Sequence, residues 1–210
     1  MSIKQRIRSN VIAQFSNPRG IYGRIAGRIM STRQTNVTRN AWIAEILNPP
    51  PGAQILEIGH GPGLAIEHLV PTIGDGHITG LELSPLMSQT AARRNRDAVG
   101  AGSVDFRIGD SANPPHDLHS LDIIFGVNSS MFWPDNQAAI SELASRLKPG
   151  GQLLLAYMPP PTATEPATTI AEQIVDHFTD AGLTEIATQT APTQPPTIAV
   201  TGTRPEHSAA

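Results

Sequence analysis

Three glycines in five residues, Gly59-His60-Gly61-Pro62-Gly63, follow a short apolar run, Gln54-Ile55-Leu56-Glu57-Ile58, and apolar residues at helical spacing come directly after them. A buried strand, a glycine turn and a helix in that order leave few folds open. Such a junction gathers bare backbone N–H groups and the positive end of a helix dipole at one point. It suits a nucleotide-like ligand, because a Cβ at the tight positions would push the ligand away.

The rest of the chain repeats this alternation. His77–Leu83 reads as a second strand ending on Glu82, and Ser84-Pro85 supplies an N-cap followed by proline at the first helical position. That helix is expected to run to about Val99, before a third strand over Ser103–Ile108 that leads into Gly109-Asp110-Ser111. Leu121–Val127 is a continuous apolar run, hence a buried central strand. Asp135 can cap a helix with Ile140, Leu143, Ala144 and Leu147 on its apolar face, ended by Lys148-Pro149-Gly150-Gly151 before a fifth strand, Gln152–Tyr157. Thr169 with Glu172 predicts a capping box for a helix through Ala181, closed by Gly182. Glu185–Thr190 and Thr197–Thr203 then read as a closing hairpin. Strands alternating with helices predict an α/β fold, a doubly wound and mostly parallel sheet with helices on both faces.

Before this body, Asn36–Leu47 reads as a helix whose core face is Val37, Trp42, Ile43, Ile46 and Leu47. Ile21, Ile25 and Ile29 fall four apart, so Gly20–Met30 predicts a weak amphipathic helix, rich in glycine, that needs a surface to lie on. Residues 1–48 are therefore expected to form a basic arm and cap helices, and 49–205 the main domain. Residues 1–44 hold eight basic side chains and no acidic one, leaving seven basic against eighteen acidic, or −11, for the remainder. Such an arm either binds an anionic partner or docks on its own acidic body.

Several chemistries are excluded or unsupported. The chain has no cysteine, which removes disulfides, thiolate metal sites and cysteine nucleophiles. No metal-ligand spacing of the H-E-x-x-H kind and no G-x-S-x-G elbow is present. The dinucleotide fingerprint fails in both registers, with Leu64 or Ile66 where the third glycine belongs, and no Gly-Lys-Ser/Thr follows as a P-loop needs. No apolar segment follows the basic N-terminus, and the longest charge-free run, Ile186–Thr203, is rich in Thr, Gln and Pro. A cytoplasmic protein with no membrane contact is expected.

Four features in order, ILEIGHGPG, GLELS, Gly109-Asp110-Ser111, and LDIIFGVNSSMFWPD followed by LKPGGQLLLAY, resemble the class I S-adenosylmethionine-dependent methyltransferases over about Gln54–Tyr157. The resemblance implies a seven-stranded Rossmann-like sheet with its last strand antiparallel, and S-adenosyl-L-methionine as cofactor. It implies that Gly59, Gly61 and Gly63 admit the cofactor, that Glu57 lies near its amino group, and that Glu82 accepts both ribose hydroxyls. Leu83 and Met87 would pack on the adenine, Asp110 with Ser111 would meet its edge, and Asn128 would face the sulfonium and the acceptor. His60 stands where a smaller residue is frequent in the family, and it is the candidate base. Met131, Phe132 and Trp133, with Tyr22 and Met30 from the cap, would wall the acceptor pocket, which suits a small organic molecule. The rivals are an RNA methyltransferase holding phosphates with the basic arm and a non-catalytic cofactor-binding module. A small-molecule acceptor is favoured over nucleic acid, and a homodimer stays open.

Overall fold

A computed structural model describes residues 34–130, 133, 135–160, 163 and 165–206. The expected helix over Gly20–Met30 lies outside them. The elements run α1 (Gln34–Leu47), β1 (Gln54–Ile58), α2 (Leu64–Leu69), β2 (His77–Glu82), α3 (Pro85–Arg94), α4 (Arg96–Gly100), β3 (Val104–Ile108) and β4 (Leu121–Val127). They continue with α5 (Asn136–Arg146), β5 (Leu147–Tyr157), α6 (Ala167–Asp180), β6 (Thr184–Ala191) and β7 (Thr197–Thr203). Seven strands form one sheet in the order β3-β2-β1-β4-β5-β7-β6. The first five pair in parallel, and β7 runs antiparallel between β5 and β6. The doubly wound, seven-stranded expectation holds.

Each strand divides its side chains between two cores, as a period of two requires. Ile55, Ile78, Phe125 and Leu154 meet Ile43 and Leu47 of α1 and Ile66 and Leu69 of α2 on one face. Leu56, Leu81, Ile124, Leu153 and Leu155 meet Ile140 and Leu143 of α5 and Ile174 and Phe178 of α6 on the other. This alternation assigns Glu57, two residues after Ile55, to the face that α1 covers. Glu82, four after Ile78, belongs to the same face.

Three local readings are corrected. The helix expected to run to Val99 breaks at Asn95, whose side-chain amide donates to the carbonyls of Gly63 (3.1 Å) and Ala91 (3.0 Å) and so ties α3 to the glycine turn. The helix expected from a Thr169 capping box starts three residues earlier, with Pro166 at its N-cap and no side-chain cap. Lys148-Pro149-Gly150-Gly151 lies within β5, where the pairing with β4 shifts register, instead of preceding it. The cap at Asp135 is as the sequence indicates: its carboxylate accepts from the Ala138 N–H at 3.0 Å. Asp135→Ala is expected to lower stability by about 1 kcal/mol, measured as a shift in the thermal midpoint.

Candidate functional site

The chain winds outward from β1 through β2 to β3, then returns to the centre and winds the other way through β4 and β5. The C-terminal ends of β1 and β4 therefore flank a switch point, where open α/β sheets bind ligands. Glu57, Glu82, Asn128 and Met158 all stand at or just beyond strand ends around this crevice.

The glycine turn takes positive φ at all three glycines, 66° at Gly59, 52° at Gly61 and 73° at Gly63. A side chain is disfavoured there on backbone grounds alone. Space adds a second reason at two of them. A Cβ on Gly59 would lie 2.9 Å from Ser129 Cβ, and one on Gly63 would lie 2.8 Å from both Ala91 Cβ and Asn95 Nδ2. The sequence reading gave all three glycines to the ligand. In the structure, Gly59 makes room for the loop after β4, and Gly63 makes room for α3.

Glu82 is fastened to the turn. Its Oε2 accepts the Gly61 N–H at 3.1 Å and its Oε1 accepts the Ser84 N–H at 2.9 Å. Burial pushes its pKa up, opposed by the backbone N–H groups of Ser84, Gly61 and Leu83. A carboxylate has about four lone-pair directions, so acceptor capacity remains for a ligand hydroxyl.

Glu57 is 2 % exposed, and its Oε2 is buried without a hydrogen-bond partner. Burial first, and then the neighbouring Glu82 charge, hold its pKa well above the usual 4.5, against the pull of Arg39. Arg39, on α1, was missed by the sequence reading, which placed Val37, Trp42, Ile43, Ile46 and Leu47 on the core face. Ile43 and Leu47 are buried, with Trp42 and Ile46 packed on the same core, and Asn36, Arg39 and Asn40 are buried as well. Arg39 Nη1 donates to Met158 Sδ at 3.6 Å, while its Nε is buried with no partner. Burial lowers its pKa to about 10, so it is charged at neutral pH.

Both glutamates have folded-state pKa values above their unfolded ones. The stability they confer is fully present below about pH 4.5 and is lost as pH rises through the folded values. Ligand-free Glu57→Gln is therefore expected to melt higher than the wild type at pH 8, with the gap closing toward pH 4.5. Thermal midpoints across that range check it; a gap independent of pH would contradict it.

The imidazole of His60 is 3 % exposed and lies under the turn, its ring centroid 4.8 Å from that of Phe106. Gly80 makes the slot, since a Cβ there would come within 2.8 Å of both rings. His60 Nδ1 lies 2.8 Å from the Gly61 carbonyl, which can only accept, so this nitrogen carries the proton. Its Nε2 is buried without a partner, and burial lowers the pKa to about 4, leaving the ring neutral at pH 7.

Asn128 has φ 57°, and its Oδ1 accepts the Met158 N–H at 2.7 Å, pinning β4 to β5. Asp110 Oδ1 accepts the Ala112 N–H at 2.9 Å in an exposed turn. Ser111 Oγ accepts from Trp133 Nε1 at 3.0 Å, so that indole bridges to the loop after β3 while its ring packs on the α5/α6 core. Leu83 is 47 % exposed beside Glu82, whereas Met87 is buried. Ser129 Oγ, not anticipated from the sequence, is buried without a partner beside the turn. Tyr22, Met30, Met131 and Phe132 lie outside the described residues. Among the described residues no cluster of His, Asp or Glu could hold a metal ion, and no helix is long and apolar enough to cross a membrane.

A buried carboxyl group and a buried cation with bare atoms, a second carboxylate with spare acceptor capacity and a glycine turn fit S-adenosyl-L-methionine, which carries a carboxylate, an ammonium and a ribose diol. Comparison with known proteins agrees. Residues 55–151 match the family model described as a methyltransferase domain. The chain is 30% identical over 167 residues to the uncharacterized methyltransferase YdaC of Bacillus subtilis (strain 168), covering 79% of this chain and 89% of that protein. It is 29% identical to nocamycin O-methyltransferase of Saccharothrix syringae over 59% of this chain and 44% of the relative. The chain spans less than half the length of the O-methyltransferases it matches. In fold it is similar to a SAM-dependent methyltransferase from Aquifex aeolicus, with a TM-score of 0.68 at 15% identity, covering 85% of this chain and 96% of that one. With the strand order, the turn and the acidic ends of β1 and β2 in place, the chain belongs to the class I S-adenosylmethionine-dependent methyltransferases.

Proposed function

We propose that this methyltransferase acts on a small organic acceptor, bound where the loop after β4 meets the crevice. The observation that carries the acceptor class is the composition of that loop. Ser129-Ser130-Met131-Phe132-Trp133-Pro134 follows Asn128 directly and offers apolar and aromatic surface with few polar handles, as small-molecule pockets do. The resemblance to O-methyltransferases supports the same class. Base-amino and glutamine methylation are disfavoured, because no Asn/Asp-Pro-Pro-Tyr/Phe motif follows β4.

When bound, S-adenosyl-L-methionine supplies a methyl carbon made electrophilic by its sulfonium. The residues of this chain orient and desolvate. Glu82 holds the ribose hydroxyls, Leu83 covers one adenine face, and Met87 forms the buried floor below. Asp110 and Ser111 meet the adenine edge, and the turn around Gly61 lies along the ribose and methionine. Asn128, its Oδ1 committed to β5, turns its Nδ2 hydrogens toward the reacting end. We assign His60 to packing beneath the turn and not to the base role the sequence suggested, since its ring is wedged, neutral and shielded from an acceptor. Orientation and exclusion of water then provide most of the acceleration, for an acceptor that arrives with a free electron pair or loses its proton to solvent.

The test is incubation with methyl-labelled cofactor and separate metabolite and RNA fractions. Label recovered in a small organic product is expected. Label found only in RNA would replace the acceptor class, and no transfer to any fraction would leave the non-catalytic module standing.

A further inference from the structure

Tyr157 ends β5 in register with Asn128, one step beyond the Val127–Ala156 pair. The Asn128 N–H donates to the Ala156 carbonyl at 2.8 Å, and Asn128 Oδ1 accepts from the Met158 N–H at 2.7 Å, so two bonds bracket Tyr157 at the edge of the crevice. Alternation along β5 sends Leu154 and Ala156 to the α1/α2 face and Leu153, Leu155 and Tyr157 to the α5/α6 face. Tyr157 there joins the core that includes Ala167 of α6, with Trp133 and Ile170 packed against it. The residue is only 7 % exposed. Its hydroxyl nevertheless reaches open space: it has no hydrogen-bond partner among the described residues, and it is not among their enclosed unpaired atoms. Ser129 Oγ, also unpaired, is enclosed beside the glycine turn and out of a ligand's reach. A ring held in a core with a wet polar tip is a handle waiting for a partner.

Glu165, exposed just before α6, lies within electrostatic reach of the phenol. Burial first, and then this charge, hold the Tyr157 pKa above its ordinary 10, so the group is a neutral O–H at pH 7. A ligand group arriving here meets an O–H and a carboxylate. A hydroxyl suits both, accepting from Tyr157 and donating to Glu165. A carboxylate or phosphate would be repelled by Glu165. We propose that the Tyr157 hydroxyl is the polar handle of the acceptor pocket, holding the hydroxyl of an acceptor whose apolar body lies against Trp133 and Ile170, while Glu165 turns anionic molecules away. Tyr157 is thus a specificity-determining residue that selects the acceptor and orients it beside Asn128. The proposal rests on the small-molecule reading above and narrows it to hydroxylated acceptors without negative charge.

The test is a ligand-observed NMR titration at low ionic strength of protein loaded with S-adenosylhomocysteine. The probes share one shape, p-cresol, toluene and p-toluate, and are applied to the wild type, Tyr157→Phe and Glu165→Gln. The wild type should bind p-cresol about fivefold tighter than toluene, as one neutral hydrogen bond allows, and p-toluate more weakly than either. Tyr157→Phe should erase the preference for p-cresol while leaving toluene affinity, S-adenosylhomocysteine affinity and the ligand-free melting point unchanged, because the hydroxyl it removes has no partner in the protein. Glu165→Gln should raise p-toluate affinity about threefold, the scale of one exposed charge. With methyl-labelled cofactor, Tyr157→Phe should need about fivefold more of the metabolite fraction for half-maximal transfer. No p-cresol preference in the wild type, an undiminished preference in Tyr157→Phe, or unchanged p-toluate affinity in Glu165→Gln would each overturn the proposal. Label passing to a small molecule as efficiently in Tyr157→Phe as in the wild type would overturn it too, and would leave the small-molecule reading intact. Label passing only to RNA would overturn that reading, and the proposal with it.

Discussion

Glu82→Ala is expected to weaken S-adenosyl-L-methionine binding by about a hundredfold. Two hydrogen bonds from ribose hydroxyls to a carboxylate are worth about 3 kcal/mol together at the lower end of the range for charged acceptors, and about 1.4 kcal/mol is tenfold in affinity. The effect has a second source within the protein. Glu82 also accepts from the Gly61 and Ser84 N–H groups, so its removal leaves the turn without the acceptor that fixes it. Glu82→Gln separates the two contributions. The amide keeps one carbonyl oxygen for one of these donors but points an NH2 group at the other. An intermediate loss, near tenfold, should result. Calorimetry is the direct measurement; wild-type affinity in the alanine variant would show that the ribose does not lie against β2.

Gly63→Val is expected to damage the fold more than any substitution at the other turn glycines. Left-handed backbone costs a side chain about 1–2 kcal/mol, and forcing atoms into packed space costs about 1–3 kcal/mol more. The obstruction is the backbone and Cβ of Ala91, at 3.1 and 2.8 Å from the new Cβ, and neither is the end of a flexible chain. A loss of about 3 kcal/mol lowers the melting point of a domain this size by about 10 °C. The ligand-free protein should show the full effect, because the clash is with α3 and not with the cofactor. A variant that melted normally and lost only cofactor affinity would restore the reading in which Gly63 exists for the ligand.

That reading came from the sequence, and the structure adds at Gly63 a packing reason that the sequence does not reveal. The spacing of glycines reveals a tight turn, but not which neighbour crowds each one. Ala91 and Asn95 are some thirty residues away in the chain, and only their packing shows that Gly63 is spent on them. The succession of strands and helices, the mostly parallel sheet and the acidic ends of β1 and β2 were legible because hydrophobic periodicity and turn chemistry all pointed the same way. Helix α1 was legible in its apolar face but not in its buried polar residues. Apolar periodicity found Trp42, Ile43, Ile46 and Leu47, and the structure buries Asn36, Arg39 and Asn40 beside them. Polar residues go inside only where something polar is to be met, so a rule built on apolar stripes fails beside a ligand crevice. His60 illustrates a different limit of the sequence. Its position in the glycine motif suggested chemistry, and the slot above Gly80 that holds it could not be seen until β2 and β3 were side by side.

The indole bond from Trp133 to Ser111 joins two segments that any retargeting effort would treat as separate modules. On the placement proposed above, one segment belongs to the acceptor side and the other borders the nucleoside. A foreign loop grafted between Asn128 and Asp135 to change substrate preference would also remove the donor that steadies Ser111. Affinity for the methyl source should then drift with each graft, unless the incoming loop brings its own N–H to the same hydroxyl.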